Sequence, residues 1–318
     1  MVYREENMDK QPIISDMIRN IEKIIVGKRS VIEKAIITLL AGGHLLLEDV
    51  PGVGKTTLAN GIAKTINCGF TRIQFTPDTL PSDITGLSVY NMQTGKFEFV
   101  KGAIMNQIIL ADEINRTSPK TQASLLEAMQ EGQVSVEGTT YELPKPFMVI
   151  ATQNPIDYVG TYNLPEASLD RFLMKLSMGY PSVSDEIHMI ESFLQEKKSS
   201  NLEPVVEEST ILKMQKDVAQ IDVHQDLLCY IVEITDATRN NSNITLGASP
   251  RATLALTRAA QANAYIKGRD YVIPDDIKDM VISVIAHRLI MSPEARLNKQ
   301  TAHSVVQSII EKIKIPIL

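Results

Sequence analysis

The stretch Asp49-Val50-Pro51-Gly52-Val53-Gly54-Lys55-Thr56-Thr57, placed directly after the apolar run His44 to Leu47, constrains this chain more than any other. An apolar run, a glycine-bearing turn and a Lys-Thr pair that opens a helical pattern predict a strand, a tight loop and a helix. Small residues let main-chain N–H groups wrap around an anion, and the new helix adds its own unpaired N–H groups and positive dipole end. Lys55 is placed for the β- and γ-phosphates of a nucleotide, and the Thr56 hydroxyl for Mg²⁺. Pro51, Gly52, Val53, Gly54, Lys55, Thr56 and Thr57 are therefore the candidate phosphate cradle. The common Gly-x-x-x-x-Gly-Lys pattern opens on a glycine, where this chain has Asp49. Taken alone, the stretch also reads as a glycine turn ahead of an ordinary helix.

The chain has 318 residues, enough for two domains and a sizeable core. Apolar residues make up 44% and charged residues 22%, a globular balance that excludes disorder and fibrous repeats. A net charge of −6 argues against an extended nucleic-acid surface, which needs clustered Lys and Arg. No basic run is larger than the Lys197-Lys198 pair, which reads as a solvated helix face. The 2 cysteines, Cys68 and Cys229, have no metal-ligand spacing and read as free thiols of a reducing compartment. Residues 1–10 are polar, unlike a signal peptide, and no apolar run reaches membrane-span length, so the expected location is the cytoplasm. The 5 histidines show no relay or metal spacing.

Up to residue 180 short apolar runs alternate with helical patterns, which predicts a parallel sheet covered by helices. The expected strands are 44–48, 70–75, 108–111, 148–152 and 172–178. After Gly179-Tyr180-Pro181 the pattern becomes helical throughout, over 185–197, 208–221, 225–239, 250–266, 274–290 and 301–314. The expected division is an α/β nucleotide-binding domain over 1–180 and a helical lid over 181–318. Two hairpins interrupt the first domain. One pairs 88–92 with 96–100 around Thr94-Gly95, and the other sets Val134 and Val136 against Tyr141 and Leu143 across Glu137-Gly138.

Further chemistry sits at predicted strand ends. Ile108 to Ala111 runs into Asp112, a candidate Mg²⁺ ligand, and Glu113, a candidate base for polarising an attacking water. A guanine-reading Asn-Lys-x-Asp is absent from the sequence. Asn154, at the tip of 148–152, either orients the lytic water or caps a turn ahead of Pro155. Arg171, before the last strand, reaches a neighbouring copy's nucleotide or forms a surface pair with Asp170 or Glu166. Ser249-Pro250 suits a helix start, which fixes Arg251 where a cation opposes the helix dipole and where a phosphate would suit it.

Together these segments resemble the MoxR family of AAA+ ATPases. The resemblance is carried by Val26-Gly27, the phosphate loop, Ala111 to Arg116, Leu125 to Glu131, Ala151 to Pro155, Leu164 to Phe172 and Gly247 to Ala252. It implies a three-layer αβα P-loop domain with a five-stranded parallel sheet, followed by an all-helical lid. Val26 and Gly27 would lie against adenine, Lys55 and Thr56 would be the Walker A pair, and Asp112 and Glu113 the Walker B pair. Asn154 would be sensor 1, Arg171 the arginine finger acting in trans, and Arg251 sensor 2. The resemblance also implies ATP and Mg²⁺, a homo-oligomer in the form of a hexameric ring, and chaperone-like work on client complexes: assembly, activation or metal insertion. Von Willebrand factor A domain proteins are among the implied partners. A nucleotide-gated switch with slow hydrolysis, a magnesium-chelatase-like subunit and a DNA-associated motor remain as alternatives.

Overall fold

Residues 10–154, 161–194 and 202–316 of the chain are described by a computed structural model. The segments 1–9, 155–160, 195–201 and 317–318 lie outside the described residues, and with them Pro155, Lys197-Lys198 and the end of the 185–197 helix expectation. The chain begins with α1 (Lys10–Glu22) and α2 (Arg29–Leu40). Ile14, Met17, Ile18 and Ile21 recur at helical spacing on α1 and are buried. β1 (Leu45–Glu48) leads through the glycine loop into α3 (Lys55–Thr65) and β2 (Phe70–Gln74). A short α4 (Pro81–Thr85) precedes the first hairpin, β3 (Gly86–Asn91) and β4 (Lys96–Lys101). β5 (Ile108–Asp112) is followed by α5 (Pro119–Glu131), which Ser118 caps through the Thr121 N–H and Gly132 ends in a left-handed turn. The second hairpin, β6 (Gln133–Val136) and β7 (Thr139–Glu142), leads to β8 (Met148–Gln153), α6 (Glu166–Leu169) and β9 (Met174–Leu176).

The sheet is parallel, in the order β2-β5-β8-β1-β9. Side chains alternate between two cores, as the pleat requires. Leu45, Leu47, Ile108, Leu110, Met148 and Ile150 face α1, α2 and α3, whereas Leu46, Ile109, Ala111, Val149 and Ala151 face α5. Both faces are covered, which is why these strands read as unbroken apolar runs. This is the three-layer αβα sandwich with a five-stranded sheet that the sequence predicts.

Helices then dominate: α7 (Val183–Leu194), α8 (Glu208–Val218), α9 (Gln225–Arg239), and, after β10 (Ile244–Leu246), α10 (Pro250–Ile266) and α11 (Pro274–Ile285). β11 (Ile290–Met291), α12 (Pro293–Leu297) and α13 (Ala302–Lys312) close the chain. To the predicted helices the structure adds a two-stranded ribbon, with Ile244 opposite Met291, and the short α12. The ribbon, α12 and α13 share a small core of Ile244, Met291, Ala295, Val305 and Ile309. Tyr230, Leu256 and Met280 from the lid helices join the core on the α1–α3 side of the sheet, so that core continues into the helical region.

Local departures have local causes. The last strand covers only Met174–Leu176 of the expected 172–178. The Leu173 N–H goes to the His44 carbonyl (2.8 Å), and donors at 177–179 turn to the Asp49 side chain. In the second hairpin the two-residue turn at Glu137-Gly138, both with positive φ, sets Val136 against Thr139 and Val134 against Tyr141. Leu143 lies beyond the strand, its N–H on the Gly132 carbonyl at 2.9 Å. The Phe99 and Tyr141 rings stack at 3.9 Å and join the two hairpins.

His44 ties β1 to its neighbours. Its Nδ1 accepts from the Val149 N–H (3.0 Å), so Nε2 carries the proton and donates to the Met129 carbonyl (3.0 Å). Burial lowers its pKa to about 4, against the pull of the Met129 carbonyl. An unfolded imidazole takes up its proton near pH 6.5, so the unfolded state binds more protons between about 6.5 and 4, and stability falls as pH drops through that window. The His44 contribution to this loss is about 2 kcal/mol between about pH 7.5 and about pH 5. Half-buried His287, its pKa lowered by desolvation and by neighbouring Arg288, acts in the same direction. Urea unfolding at both pH values, on the parent and on His44→Gln, isolates the His44 share. An equal pH dependence in the two proteins would refute it.

Candidate active site

Three strands deliver polar tips to one edge of the sheet. β1 runs into the loop at 49–54, β5 ends in Asp112 with Glu113 next, and β8 ends at Gln153 with Asn154 next. Ala111 pairs with Ala151, and Leu47 with Thr152, so the tips stand side by side at the carboxyl ends, where open α/β sheets bind ligands. Pro51, Gly52, Gly54, Lys55, Thr56 and Thr57 line a cavity of about 370 Å³ together with Asp112, Glu113 and Asn154. Gly52 (φ 86°) and Gly54 (φ 95°) are left-handed, which an L side chain rarely adopts. Gly54 is the residue just before α3, so the loop turns its backbone directly into the helix N-terminus.

The charged groups in this cavity are all engaged, the carboxylates in ion pairs and the lysine on a carbonyl. Lys55 Nζ donates to the Asp49 carbonyl at 2.7 Å. Its pKa is lowered by burial, against the pull of the Asp49, Asp112 and Glu113 carboxylates. Asp112 accepts from Thr152 Oγ1 (2.6 Å) on Oδ1 and from Arg72 (2.6 Å) on Oδ2. Glu113 has positive φ, 58°, which swings it out of the strand direction. Its N–H donates to Thr152 Oγ1 (2.9 Å), and its carboxylate accepts from Gln74 Nε2 (3.0 Å) and pairs with Arg116 (3.1 Å). Thr56 and Asp112 offer hard oxygen donors, and Asp112 already holds a cationic group in Arg72. The donor set fits Mg²⁺.

Beside the phosphate loop a second cavity, about 380 Å³, is lined by Val26, Pro51, Val53, Tyr180, Pro181 and Met189, among others. Val26 therefore borders the space next to the loop. Gly27 does not line it. In a left-handed turn (φ 73°), it packs so closely on Asp185 that a Cβ there would overlap that carboxylate.

Arg171 and Arg251 lie elsewhere. Both line a pocket of about 310 Å³ with Gly42, His44 and Arg258. Gly42 and His44 precede β1, whereas the phosphate loop follows it. At about 3.3 Å per residue, the strand Leu45–Glu48 separates the two pockets. Asp170 does not pair with Arg171. Buried Arg288 takes its Oδ1 at 2.9 Å, Ser249 Oγ donates to its Oδ2 at 2.9 Å, and Arg171 Nε has no hydrogen-bond partner among the described residues. Ser249 caps α10 through the Ala252 N–H with Pro250 in the first turn, so Arg251 projects from the helix start.

Arg72, Gln74, Thr152 and Arg288 were not among the residues singled out in the sequence. Arg72 and Gln74 carry a readable signal: they are the polar partners of buried Ile73 in a period-two strand, and Gln74 registers opposite Asp112. Arg288 carries none, because the Asp170 it holds lies far away in sequence.

A parallel αβα sheet with a glycine phosphate loop, an acidic strand end and an appended helical lid defines a P-loop ATPase of the AAA class. Residues 44–174 match the model of the ATPase family associated with various cellular activities, and 236–309 match that of the AAA lid domain. The chain is 49% identical to protein YeaC of Bacillus subtilis, over 100% of this chain and 98% of that one. It is 38% identical to chaperone MoxR1 of Mycobacterium tuberculosis, over 93% of this chain and 80% of that one. A crystal structure of a protein from Cytophaga hutchinsonii superposes with a TM-score of 0.92 at 37% identity, covering 99% of this chain and 98% of that one. The chain belongs to the MoxR family of AAA+ ATPases. Among the described residues no helix is long and apolar enough to cross a membrane, and none of the His, Cys, Asp and Glu groups forms a metal cluster.

Proposed function

We propose that this chain hydrolyses ATP with Mg²⁺ in a ring of its own copies, hexameric by analogy with the family, and uses turnover to remodel a client protein complex. The observation that carries this reading is the division of the site. The cavity holding Lys55, Glu113 and Asn154 shares no lining residue with the one holding Arg171 and Arg251. An Arg side chain cannot span a β-strand's length back to its own phosphate loop. Head-to-tail packing of copies would bring one chain's arginines to the next chain's nucleotide.

In this reading Pro51 to Thr57 hold the phosphates, with Lys55 leaving the Asp49 carbonyl to reach them. Val26, with Gly27 shaping its turn, borders the base. Mg²⁺ would be held by Thr56 and Asp112, and when bound supplies charge neutralisation to the phosphate oxygens. Glu113 accepts the proton of the attacking water once Gln74 and Arg116 release its carboxylate, while Asn154 orients that water. Arg171 and Arg251 from the neighbour balance charge developing on the transferred group. The division at 180/181, with α7 opening the lid, lets the lid follow nucleotide state. Chaperone-like work is supported by the relative chaperone MoxR1, and a cytoplasmic setting suits the free thiols of Cys68 and Cys229. A client with a von Willebrand factor A domain belongs to the same reading.

A nucleotide-gated switch with slow turnover is the second reading, favoured by the ion pairs that occupy Asp112 and Glu113. Phosphate release and sedimentation on the purified protein, with ATP and Mg²⁺, separate the two. The ring ATPase predicts specific activity that rises with protein concentration as copies assemble, and that chelation of Mg²⁺ abolishes. Assembly without appreciable turnover would favour the switch. Full turnover by a dilute monomer would remove the ring from the mechanism.

A further inference from the structure

Asp49 occupies the position where the common phosphate-loop pattern has a glycine, and its backbone has no need of one: the left-handed residues of the loop are Gly52 and Gly54. Its side chain is buried, with 6% of the residue exposed. The carboxylate accepts from Ser177 Oγ (2.9 Å), the Met178 N–H and the Gly179 N–H (3.1 Å). The backbone of the same residue is also engaged. Its N–H donates to the Gln153 carbonyl (3.2 Å) beside Asn154, and its carbonyl accepts from Lys55 Nζ (2.7 Å). A glycine can make the two backbone contacts. It cannot make the three that reach residues 177–179.

The segment so held is the only stretch of chain between β9 and α7, and it forms one wall of the cavity beside the phosphate loop. Tyr180 and Pro181 line that cavity, and Lys28, next to the Val26-Gly27 turn, donates to the Tyr180 carbonyl at 2.7 Å. Past Pro181 the chain enters α7, whose Glu186 and Met189 line the same space. Two backbone N–H groups and a hydroxyl converging on one carboxylate make charge-assisted hydrogen bonds, the strong kind.

We propose that Asp49 is a positioning residue that locks the wall of the base cavity to the phosphate loop, so that base and phosphates are gripped as one unit and the start of the lid moves with the loop. This rests on the nucleotide reading of the loop. The carboxylate's hydrogen bonds go to residues 177–179 and not to the cradle at 51–57, and a glycine keeps the carbonyl that Lys55 Nζ meets, so loss of the tie should cost the base its hold and leave the phosphate grip in place.

Binding of ADP and of tripolyphosphate, measured by calorimetry on the full chain, tests this. Asp49→Gly, which restores the common loop, should weaken ADP about tenfold while tripolyphosphate stays within about twofold. Amide exchange at 177–183, slowed by ADP in the parent, should no longer be slowed in the variant. Equal loss for both ligands would make Asp49 a general stabiliser of the loop, and unchanged ADP binding would make the tie irrelevant. Either result overturns the proposal. Ser177→Ala removes one donor outside the loop and serves if Asp49→Gly does not fold. It should weaken ADP about threefold with no change for tripolyphosphate, and ADP binding equal to the parent would overturn the proposal. A parent protein that binds neither ligand would refute the nucleotide reading itself, and this proposal with it.

Discussion

Glu113→Gln is expected to lower ATP turnover by roughly 10²–10⁴-fold while leaving ATP bound. The substitution keeps the side chain's size and its oxygen acceptor, so the Gln74 contact at 3.0 Å can persist, but an amide cannot take the proton from an attacking water. The backbone around it is independently fixed. The Glu113 N–H donates to Thr152 Oγ1, and that hydroxyl donates in turn to Asp112, so the strand tip does not depend on the charge that is removed. A left-handed non-glycine residue stores strain of order 1–3 kcal/mol, and strain of this kind is retained where a side chain must point in an unusual direction. Here it places the carboxylate beside the cavity that holds Lys55 and Asn154. Nucleotide affinity by filter binding, set against phosphate release, reads the split. Turnover at the parental rate would remove Glu113 as the base; lost binding would give it a role in holding nucleotide instead.

The pieces of this site that could be read in sequence are those that burial forces to be local. β1, β5 and β8 are covered on both faces, so they appear as apolar runs, and polar groups can survive only at their tips. That is why Asp112, Glu113 and Asn154 stood out, and why the structure finds them in one cavity. Helix ends were readable where a cap is written into the chain. Ser249-Pro250 opens α10 at Pro250, and the structure's α9 and α10 span the predicted 225–239 and 250–266. What sequence hid is what depends on distant partners. Asp170 turns to Arg288 rather than to Arg171, β9 is cut short because 177–179 turn to Asp49, and the β10–β11 ribbon pairs residues on either side of two helices. The separation of Arg171 and Arg251 from the phosphate loop belongs to the same group. It follows from which end of β1 each segment meets, a matter of topology rather than composition.

Arg171→Ala should reduce turnover by roughly 10³-fold or more without changing ATP affinity, the effect expected when a guanidinium that balances transition-state charge is lost. The local fold should withstand the change. Asp170, the adjacent residue, draws its support from Arg288 and Ser249, and Arg171 carries none of that network. The decisive experiment mixes two inactive chains. A Glu113→Gln chain retains Arg171, and an Arg171→Ala chain retains a complete phosphate cavity. If arginine and phosphate cavity meet between copies, some mixed interfaces pair the intact arginine of one with the intact cavity of the other, and activity returns, greatest at equal amounts of the two chains. If Arg171 serves its own chain, no mixture recovers, because each chain still lacks one half. Arg251→Ala, in the same pocket, should complement Glu113→Gln in the same way. Failure of both mixtures, with assembly intact by sedimentation, would overturn the meeting of arginine and phosphate cavity between copies, and parental turnover in Arg171→Ala and Arg251→Ala alone would place the arginines outside the hydrolytic step.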